Sequence, residues 1–184
     1  MVASGRDVMV RVKQWLSGDQ LSYMLIEPVS RHCAMIDPQP GQEAEYLKVI
    51  RMRGLNCRYV LFTAETGYES GLAAELVTAA TELSQSTLPL GETHIERFAH
   101  SSSTLALYVC DGHLFSGQWL TPFALRQNVA GDVGRDSSMM PLVNFPDDHI
   151  VHPGKMVAGI RISTIAQEKM AAVSSRGDEG VSHA

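Results

Sequence analysis

Long apolar runs, a stripe of basic residues and a cysteine framework are all missing from this sequence of 184 residues. No stretch approaches the roughly 18 consecutive apolar residues of a membrane-spanning helix. Residues 1–15 carry charges where a signal peptide would have an apolar segment. Lys and Arg are scattered and the formal net charge is -5, unlike the basic patch of a nucleic-acid binder. We therefore expect a cytoplasmic protein that neither inserts into membranes nor binds nucleic acid.

The cysteines are few, odd in number and far apart in the sequence. They are Cys33, Cys57 and Cys110, and this arrangement favours reduced thiols in a reducing compartment over disulfides. All three are predicted to be small buried hydrophobic residues. Cys110 ends the apolar stretch TLALYVC, so we expect burial to raise its pKa and to make it unreactive.

The length and the composition are those of one domain. With 45% hydrophobic residues, a chain of this size can bury a proper core. We expect that domain to cover residues 1–173. The remaining segment, 174–184, reads SSRGDEGVSHA and is predicted to be a polar, disordered tail.

Hydrophobic patterning predicts two β-rich blocks, each followed by helices. In the first block, strands at 8–15, 21–27 and 33–37 precede a helix at 41–53 that Gly54 ends; a strand at 58–63 and a helix at about 69–84 follow. The segment STLPLGET is predicted to be a break. In the second block the strands are THIERFA, TLALYVC, HLFSG and HIVH, before a helix at about 160–172. Two such blocks suggest an α+β sandwich with αββα layers.

The stretch RYVLFTAETGYESG, residues 58–71, has the outline of a catalytic loop without the usual chemistry. A strand runs into a polar turn and a helical pattern follows, which is where folds often place metal ligands or a nucleophile. This loop holds no histidine, cysteine or aspartate. The question is whether an active site has been lost here.

The order of several short motifs resembles the metallo-β-lactamase family, specifically its glyoxalase II and persulfide dioxygenase branch. In chain order the motifs are SYMLIEP, AMIDP, the strand that leads to Thr63, a histidine turn, LFSGQWL, GDVGRD and FPDDHIVHPGK. The match extends to about residue 170. The resemblance implies the αββα metallo-β-lactamase-like sandwich. It implies a trimmed form, because only the short break stands where the family usually has another strand and helix before THIERFA.

The resemblance also implies that most metal ligands of the family have been replaced. The family motif T-H-x-H-x-D-H falls on Thr63 to Glu69, so its ligand positions hold Ala64, Thr66, Tyr68 and Glu69. The histidine of the next turn is kept as His100. The aspartate after the F-T-G motif falls on Gln118, and the final histidine falls on Lys155.

A catalytic zinc or iron site needs at least three imidazole, thiolate or carboxylate ligands. The matching positions offer only His100 and Glu69, and the Lys155 ammonium would repel a metal. We therefore expect no metal and no cofactor. The former active-site pocket would consist of eight residues at one edge of the sandwich: Thr63, Glu65, Thr66, Tyr68, Glu69, His100, Gln118 and Lys155. An ion pair between Glu69 and Lys155 is one way to replace the metal.

Other histidines and acids give weaker signals for chemistry. His149 and His152 flank a strand three residues apart, which places them on opposite faces and argues against a shared metal. His94 and His113 have no partner that the sequence identifies. Asp147 and Asp148 are expected to solvate a turn.

The leading hypothesis is a metal-free pseudoenzyme that acts as a binding, assembly or regulatory subunit, with a protein partner or with itself. One alternative is a divergent metal-dependent thioester hydrolase or persulfide dioxygenase-like enzyme that uses His100. A second alternative is a sensor that binds a small ligand in the former pocket.

Overall fold

The computed structural model describes residues 9–64, 86–99, 106–117 and 144–177. Within these ranges the strands are β1 (Arg11–Ser17), β2 (Gln20–Ile26), β3 (His32–Ile36), β4 (Asn56–Leu61), β5 (Thr87–Leu90), β6 (Thr93–Ala99), β7 (Ala106–Cys110), β8 (His113–Gly117), β9 (Ile150–Pro153) and β10 (Ser163–Thr164). The helices described there are α1 (Glu43–Arg53) and α2 (Ile165–Gly177). None of the described helices is long and apolar enough to cross a membrane.

The strands form two sheets. Sheet I has the order β1-β2-β3-β4, and sheet II has the order β10-β9-β8-β7-β6-β5. Most neighbouring strands are antiparallel, but β3 and β4 run parallel in sheet I and β8 and β9 run parallel in sheet II. Each parallel pair needs a long crossover between its strands. The crossover of sheet I contains α1.

Three apolar clusters separate the layers. The largest lies between the sheets and includes Tyr23 and Leu25 from sheet I with Tyr108 and Phe115 from sheet II. A second cluster packs α1 against the outer face of sheet I, and a third packs the start of α2, at Ile165, against the outer face of sheet II. Alternating side chains of a strand face opposite sides, so each sheet covers two clusters. The predicted αββα sandwich is confirmed.

Helix α1 shows how local sequence sets an element. Glu43 and Glu45 lie in the first turn and Arg51 and Arg53 in the last, which suits the helix dipole at both ends. Gly54 ends the helix in the left-handed conformation, with φ of 59°, as the sequence predicts. One face of the helix is buried through Tyr46.

Other predicted boundaries differ from the structure. The segment predicted as a break contains β5, which pairs with β6 through the turn at Gly91. Pro89 misled the prediction, because proline is tolerated in strands only at edges, and β5 is the edge strand of sheet II. The prediction that this segment is a break without a strand is therefore wrong, whereas the trimmed form of the sandwich agrees with the structure. Helix α2 begins at Ile165, after β10, and continues to Gly177, whereas the sequence predicts a helix at about 160–172. The helix predicted at about 69–84 lies outside the described residues.

Candidate functional site

Several strands of both sheets meet at one edge of the sandwich. Parallel strands β3 and β4 end there, and the amide of Ala106, at the start of β7, donates a hydrogen bond to the carbonyl of Thr63 at 2.8 Å. Strands β8 and β9 also end there, because the Gly154 amide donates to the Gly117 carbonyl at 2.8 Å. We call this the site edge. The segments predicted to form the former pocket leave the described strands here.

Asp37 and Thr63 form a closed hydrogen-bonded pair at the site edge. Asp37 follows β3 with a positive φ of 47°, a conformation that non-glycine residues rarely adopt. Its carboxylate accepts hydrogen bonds from the Thr63 amide at 2.8 Å and from the Thr63 hydroxyl at 2.7 Å. Burial raises the pKa of Asp37 to about 6, although both bonds from Thr63 act to lower it. This carboxyl group therefore titrates about two pH units above an ordinary aspartate.

The backbone leaves no space around Thr63. Gly117 has a φ of 53°, and a Cβ atom there would lie 1.8 Å from Thr63 Oγ1. A Cβ atom on Gly154 would lie 2.9 Å from the carbonyl carbon of Gly117. These distances are far below van der Waals contact, so both positions need glycine. Thr63 itself is buried, with 2% of its surface exposed.

Lys155 is bound to the turn between β1 and β2. Its Nζ lies 2.8 Å from Oδ2 of Asp19, and the side chains are 46% and 50% exposed. A backbone hydrogen bond joins the same two segments: the Met156 amide donates to the Asp19 carbonyl at 2.7 Å. The hydrogen bond from Lys155 is the main cause that lowers the pKa of Asp19. The ammonium therefore has a carboxylate partner at the rim of the site edge.

Two histidines pair between the sheets, His113 at the start of β8 and His152 in β9. His113 Nδ1 and His152 Nε2 are 2.9 Å apart, so one ring nitrogen donates and the other accepts. His152 is 4% exposed, is stacked on Phe115 with ring centroids 4.7 Å apart, and contacts Tyr23 edge-on. The pKa of His152 is lowered to about 3, mainly by burial and to a smaller extent by the neighbouring His113. Its Nδ1 has no hydrogen-bond partner within the described part of the chain.

Only part of the predicted pocket can be placed. The described residues include Thr63 and Lys155, and the topology brings both to the site edge. The other predicted pocket residues lie outside the described ranges: Glu65, Thr66, Tyr68, Glu69, His100 and Gln118. The proposed ion pair between Glu69 and Lys155 therefore stays a prediction, although Asp19 already pairs with the lysine.

The described side chains do not fit the metal site that the resemblance implies. At the position of the final histidine ligand, Lys155 presents an ammonium, which is a donor without a lone pair. The Thr63 hydroxyl is committed to Asp37. In ranges 9–64, 86–99, 106–117 and 144–177, no group of three or more His, Cys, Asp or Glu residues is placed to hold a metal ion. We therefore derive no metal-dependent step.

Sequence reasoning missed several features near the site. In the sequence Asp37 is only one residue of the motif AMIDP, and its contact with Thr63 joins residues 26 positions apart. The partner of His113 is His152, 39 positions away. No local signal predicts such contacts. The Ile-Asp-Pro end of β3, followed by a second strand ending in threonine, was the one pattern that could have indicated the Asp37 pair.

Three other groups singled out in the sequence have defined surroundings in the structure. His152 pairs with His113 and not with His149. Asp147 has a structural partner, because its carboxylate lies 2.6 Å from Nζ of Lys169 on α2. Burial raises the pKa of Cys110 to about 12, as expected for an unreactive thiol.

Neither family models nor curated proteins match this sequence, but solved structures do. The ETHE1 protein of Myxococcus xanthus matches with a TM-score of 0.68 and 17% identity, over 91% of this chain and 85% of that one. A metallo-β-lactamase from Staphylococcus aureus matches with a TM-score of 0.66 and 13% identity; the alignment covers 91% of this chain and only 63% of that protein.

A third match is an NDM- and FIM-1-like metallo-β-lactamase from Erythrobacter litoralis, whose structure was solved in a mono-zinc form. The TM-score is 0.55 and the identity 12%, over 94% of this chain and 99% of the other. These likenesses, with the layer order and the sheet topology, establish that the chain has the metallo-β-lactamase fold. At such identities they establish the fold alone.

Proposed function

We propose that this chain of metallo-β-lactamase fold is a binding subunit that works without a catalytic metal, in contact with a protein partner or with a second copy of itself. The observation that carries the proposal is the pairing of Lys155 with Asp19 at 2.8 Å. Where the resemblance places the last metal ligand, the chain has a cation that is already held by an acid. An ammonium there opposes a metal cation unless its pKa falls strongly.

The composition of the remaining ligand positions supports the same proposal. Ala64 has no donor atom, and Thr66, Tyr68 and Gln118 replace groups that bind zinc or iron well. His100 and Glu69 are the only strong ligand types left among the matched positions. Two ligands fall short of the three protein ligands of a catalytic zinc site.

The packing at the site edge favours a rigid scaffold over a reactive centre. Thr63 is held by Asp37, faces the Cα atom of Gly117 and accepts a hydrogen bond from Ala106. These contacts fix where β4, β7 and β8 meet. Such an edge can hold the segments that follow it in place as a binding surface, since rigid scaffolds commonly position functional residues.

Exposed apolar side chains support the binding part of the proposal. Met52 on α1 is 77% exposed, Met170 on α2 is 64% exposed and Met9 before β1 is 67% exposed. Methionine adapts its shape to partners of different contour. Met52 and Met170 lie on the two outer helical layers.

Metal content tests the proposal most directly. The untagged protein is purified without chelators and analysed for zinc, iron and manganese per chain, before and after incubation with each metal in excess. We expect well below one metal per chain in both states. A stoichiometric metal that is lost in His100→Ala would overturn the proposal and would favour the alternative of a divergent hydrolase or dioxygenase.

Light scattering over a range of protein concentrations tests the binding role. A mass that rises from monomer to dimer supports self-association, and a stable complex isolated with a co-purifying protein supports a separate partner. A strictly monomeric protein that isolates alone, and whose melting temperature rises with a small metabolite, would contradict the binding-subunit proposal and favour the ligand sensor.

A further inference from the structure

Two of the three cysteines lie side by side in sheet I, which their spacing in sequence did not suggest. Cys33 in β3 and Cys57 in β4 are register partners in the parallel pair. Neighbouring strands lie roughly 4.8 Å apart, which is inside the range of Cα separations that a disulfide bridges. Both cysteines are free thiols in the structure.

A β-bulge puts both thiols on the same face. The register passes from Cys33 opposite Cys57 to Ala34 opposite Tyr59, so Arg58 is the extra residue. Tyr59 faces the core between the two sheets. In a regular strand, Cys57, two residues before it, would face the same core. The bulge places it instead with Cys33 in the cluster under α1. Bulges commonly re-aim side chains in this way.

The two thiols differ in surroundings. Cys33 is fully buried, at 0% exposure, whereas Cys57 is half-buried, between the exposed residues Asn56 and Arg58. A hydrogen bond from the Cys33 thiol is the largest cause that lowers the pKa of Cys57, and the same contact raises the pKa of Cys33. The accessible sulfur is thus the one that ionises more readily, and the buried sulfur keeps its proton.

We propose that Cys33 and Cys57 form a peroxide-reactive dithiol, in which Cys57 attacks a hydroperoxide and Cys33 then closes a disulfide between β3 and β4. The Cys57 thiolate attacks the terminal peroxide oxygen, the O–O bond breaks, and the departing alkoxide or hydroxide takes up a proton. The resulting sulfenic acid on Cys57 is attacked by Cys33 sulfur, which loses its proton as water leaves. Two thiols are oxidised and the hydroperoxide is reduced to an alcohol, or to water, with release of one further water.

This dithiol is separate from the site edge. Cys33 and Cys57 lie near the amino-terminal ends of the two parallel strands, whereas Asp37 and Thr63 follow their carboxyl-terminal ends. The disulfide would close a loop that contains all of α1. Oxidation would therefore restrain α1 and its connections to sheet I. The residues of the site edge would not take part in this reaction.

Mass spectrometry of the complete chain tests the proposal. The reduced protein is exposed to hydrogen peroxide, and its remaining thiols are alkylated under denaturing conditions at successive times. We expect the three free thiols to fall to one, a mass loss of two hydrogens, and a cross-linked peptide pair that contains Cys33 and Cys57. The reaction of Cys57 should be at least about tenfold faster than that of Cys110.

Two variants separate the roles of the thiols. In Cys33→Ala, oxidation should stop at a sulfenic acid on Cys57 that a dimedone probe traps, and it should be slower because the hydrogen-bond donor is gone. Cys110→Ala should behave as the natural chain does. The proposal is overturned if the natural chain shows no Cys33–Cys57 cross-link, if all three thiols react at similar rates, or if Cys57 proceeds to sulfinic acid with Cys33 still reduced.

Discussion

The side chain of Thr63 fills the space that a Cβ atom on Gly117 would occupy. The distance from that position to Thr63 Oγ1 is 1.8 Å. Thr63 cannot withdraw, because its hydroxyl and its amide both donate to Asp37 and its carbonyl accepts from Ala106. One glycine therefore allows sheet I and sheet II to close at the site edge.

Gly117→Ala should strongly destabilise the fold. The substitution adds a steric clash to the cost of a positive φ, and we expect the free energy of unfolding to fall by about 3 kcal/mol or more. Gly112→Ala is the matched control: its φ is 76° and no atom lies within 4 Å of the added Cβ, so it should lose only about 1 kcal/mol. Urea unfolding of both variants checks the difference. If both variants lose the same free energy of unfolding, Thr63 moves away from the new Cβ atom without cost, and the prediction is wrong.

Asp37→Asn should remove a pH dependence. The pKa of Asp37 is about 6 in the folded chain against 3.8 for the free group, so the folded state binds more protons between those values. Its contribution to stability therefore declines as pH rises from about 4 to 6, by up to about 3 kcal/mol. Asparagine can keep both contacts with Thr63, by accepting from the amide and donating to the hydroxyl. The variant should be as stable as the natural chain near pH 4 and more stable at pH 7.

Urea unfolding of both proteins at several pH values between 4 and 7.5 gives that difference directly, because every other titrating group cancels in the comparison. If the variant instead loses the same stability at all pH values, the prediction is wrong. The hydrogen bonds from Thr63 would then keep the Asp37 carboxylate ionised in the folded chain, and that ionised form would stabilise the fold.

His152 should give the opposite pH dependence. Its pKa falls from 6.5 to about 3 on folding, so the unfolded chain binds an extra proton as pH drops below 6.5. The contribution is complete above pH 6.5 and is lost as pH falls towards 3, by about 4 kcal/mol at pH 3.5. His152→Phe preserves the stack on Phe115 and should flatten this part of the stability profile. His94→Phe, at an exposed histidine whose ring lies 3.3 Å from the Glu96 carboxylate, is the comparison for the loss of a surface imidazole.

Restoring the replaced ligands should restore metal binding. In the triple variant Ala64→His, Thr66→His, Lys155→His, the native His100 would join three new imidazoles, and we expect about one zinc per chain. Lys155→His alone should bind far less than one zinc. Lys48→His, on the exposed side of α1, controls for an added surface histidine. Metal analysis after dialysis decides the matter, and a triple variant that folds and stays metal-free would contradict the placement of these positions around one site.

The layer order was accessible from the sequence because it depends on local signals. Alternation marked the strands, helical spacing and Gly54 marked α1, and short motifs in a fixed order indicated the metallo-β-lactamase fold. Strand β5 was missed because Pro89 counts against a strand unless that strand is already known to be at an edge. Its pairing with β6 depends on tertiary structure, which residue propensities do not predict.

The sequence predicts which residues could share a site but not the contacts that those residues make. Motif order put Thr63 and Lys155 at one edge, but nothing near Lys155 in sequence identifies Asp19 as its partner. Cys33 and Cys57 lie on the same face of sheet I only because β4 contains one extra residue, Arg58. A single-residue bulge reverses which face a side chain takes, and no composition pattern marked it.

The first hairpin depends on the far end of the chain. The Tyr23 hydroxyl donates to the Pro153 carbonyl, 130 residues away, and the Leu21 amide donates to the Gly154 carbonyl at 2.9 Å. During synthesis, β1 and β2 leave the ribosome long before these acceptors exist. The inner face of that hairpin therefore stays uncovered during most of translation. Contacts between such distant residues form late and slowly. An apolar face that is exposed in the meantime is a surface that chaperones can bind.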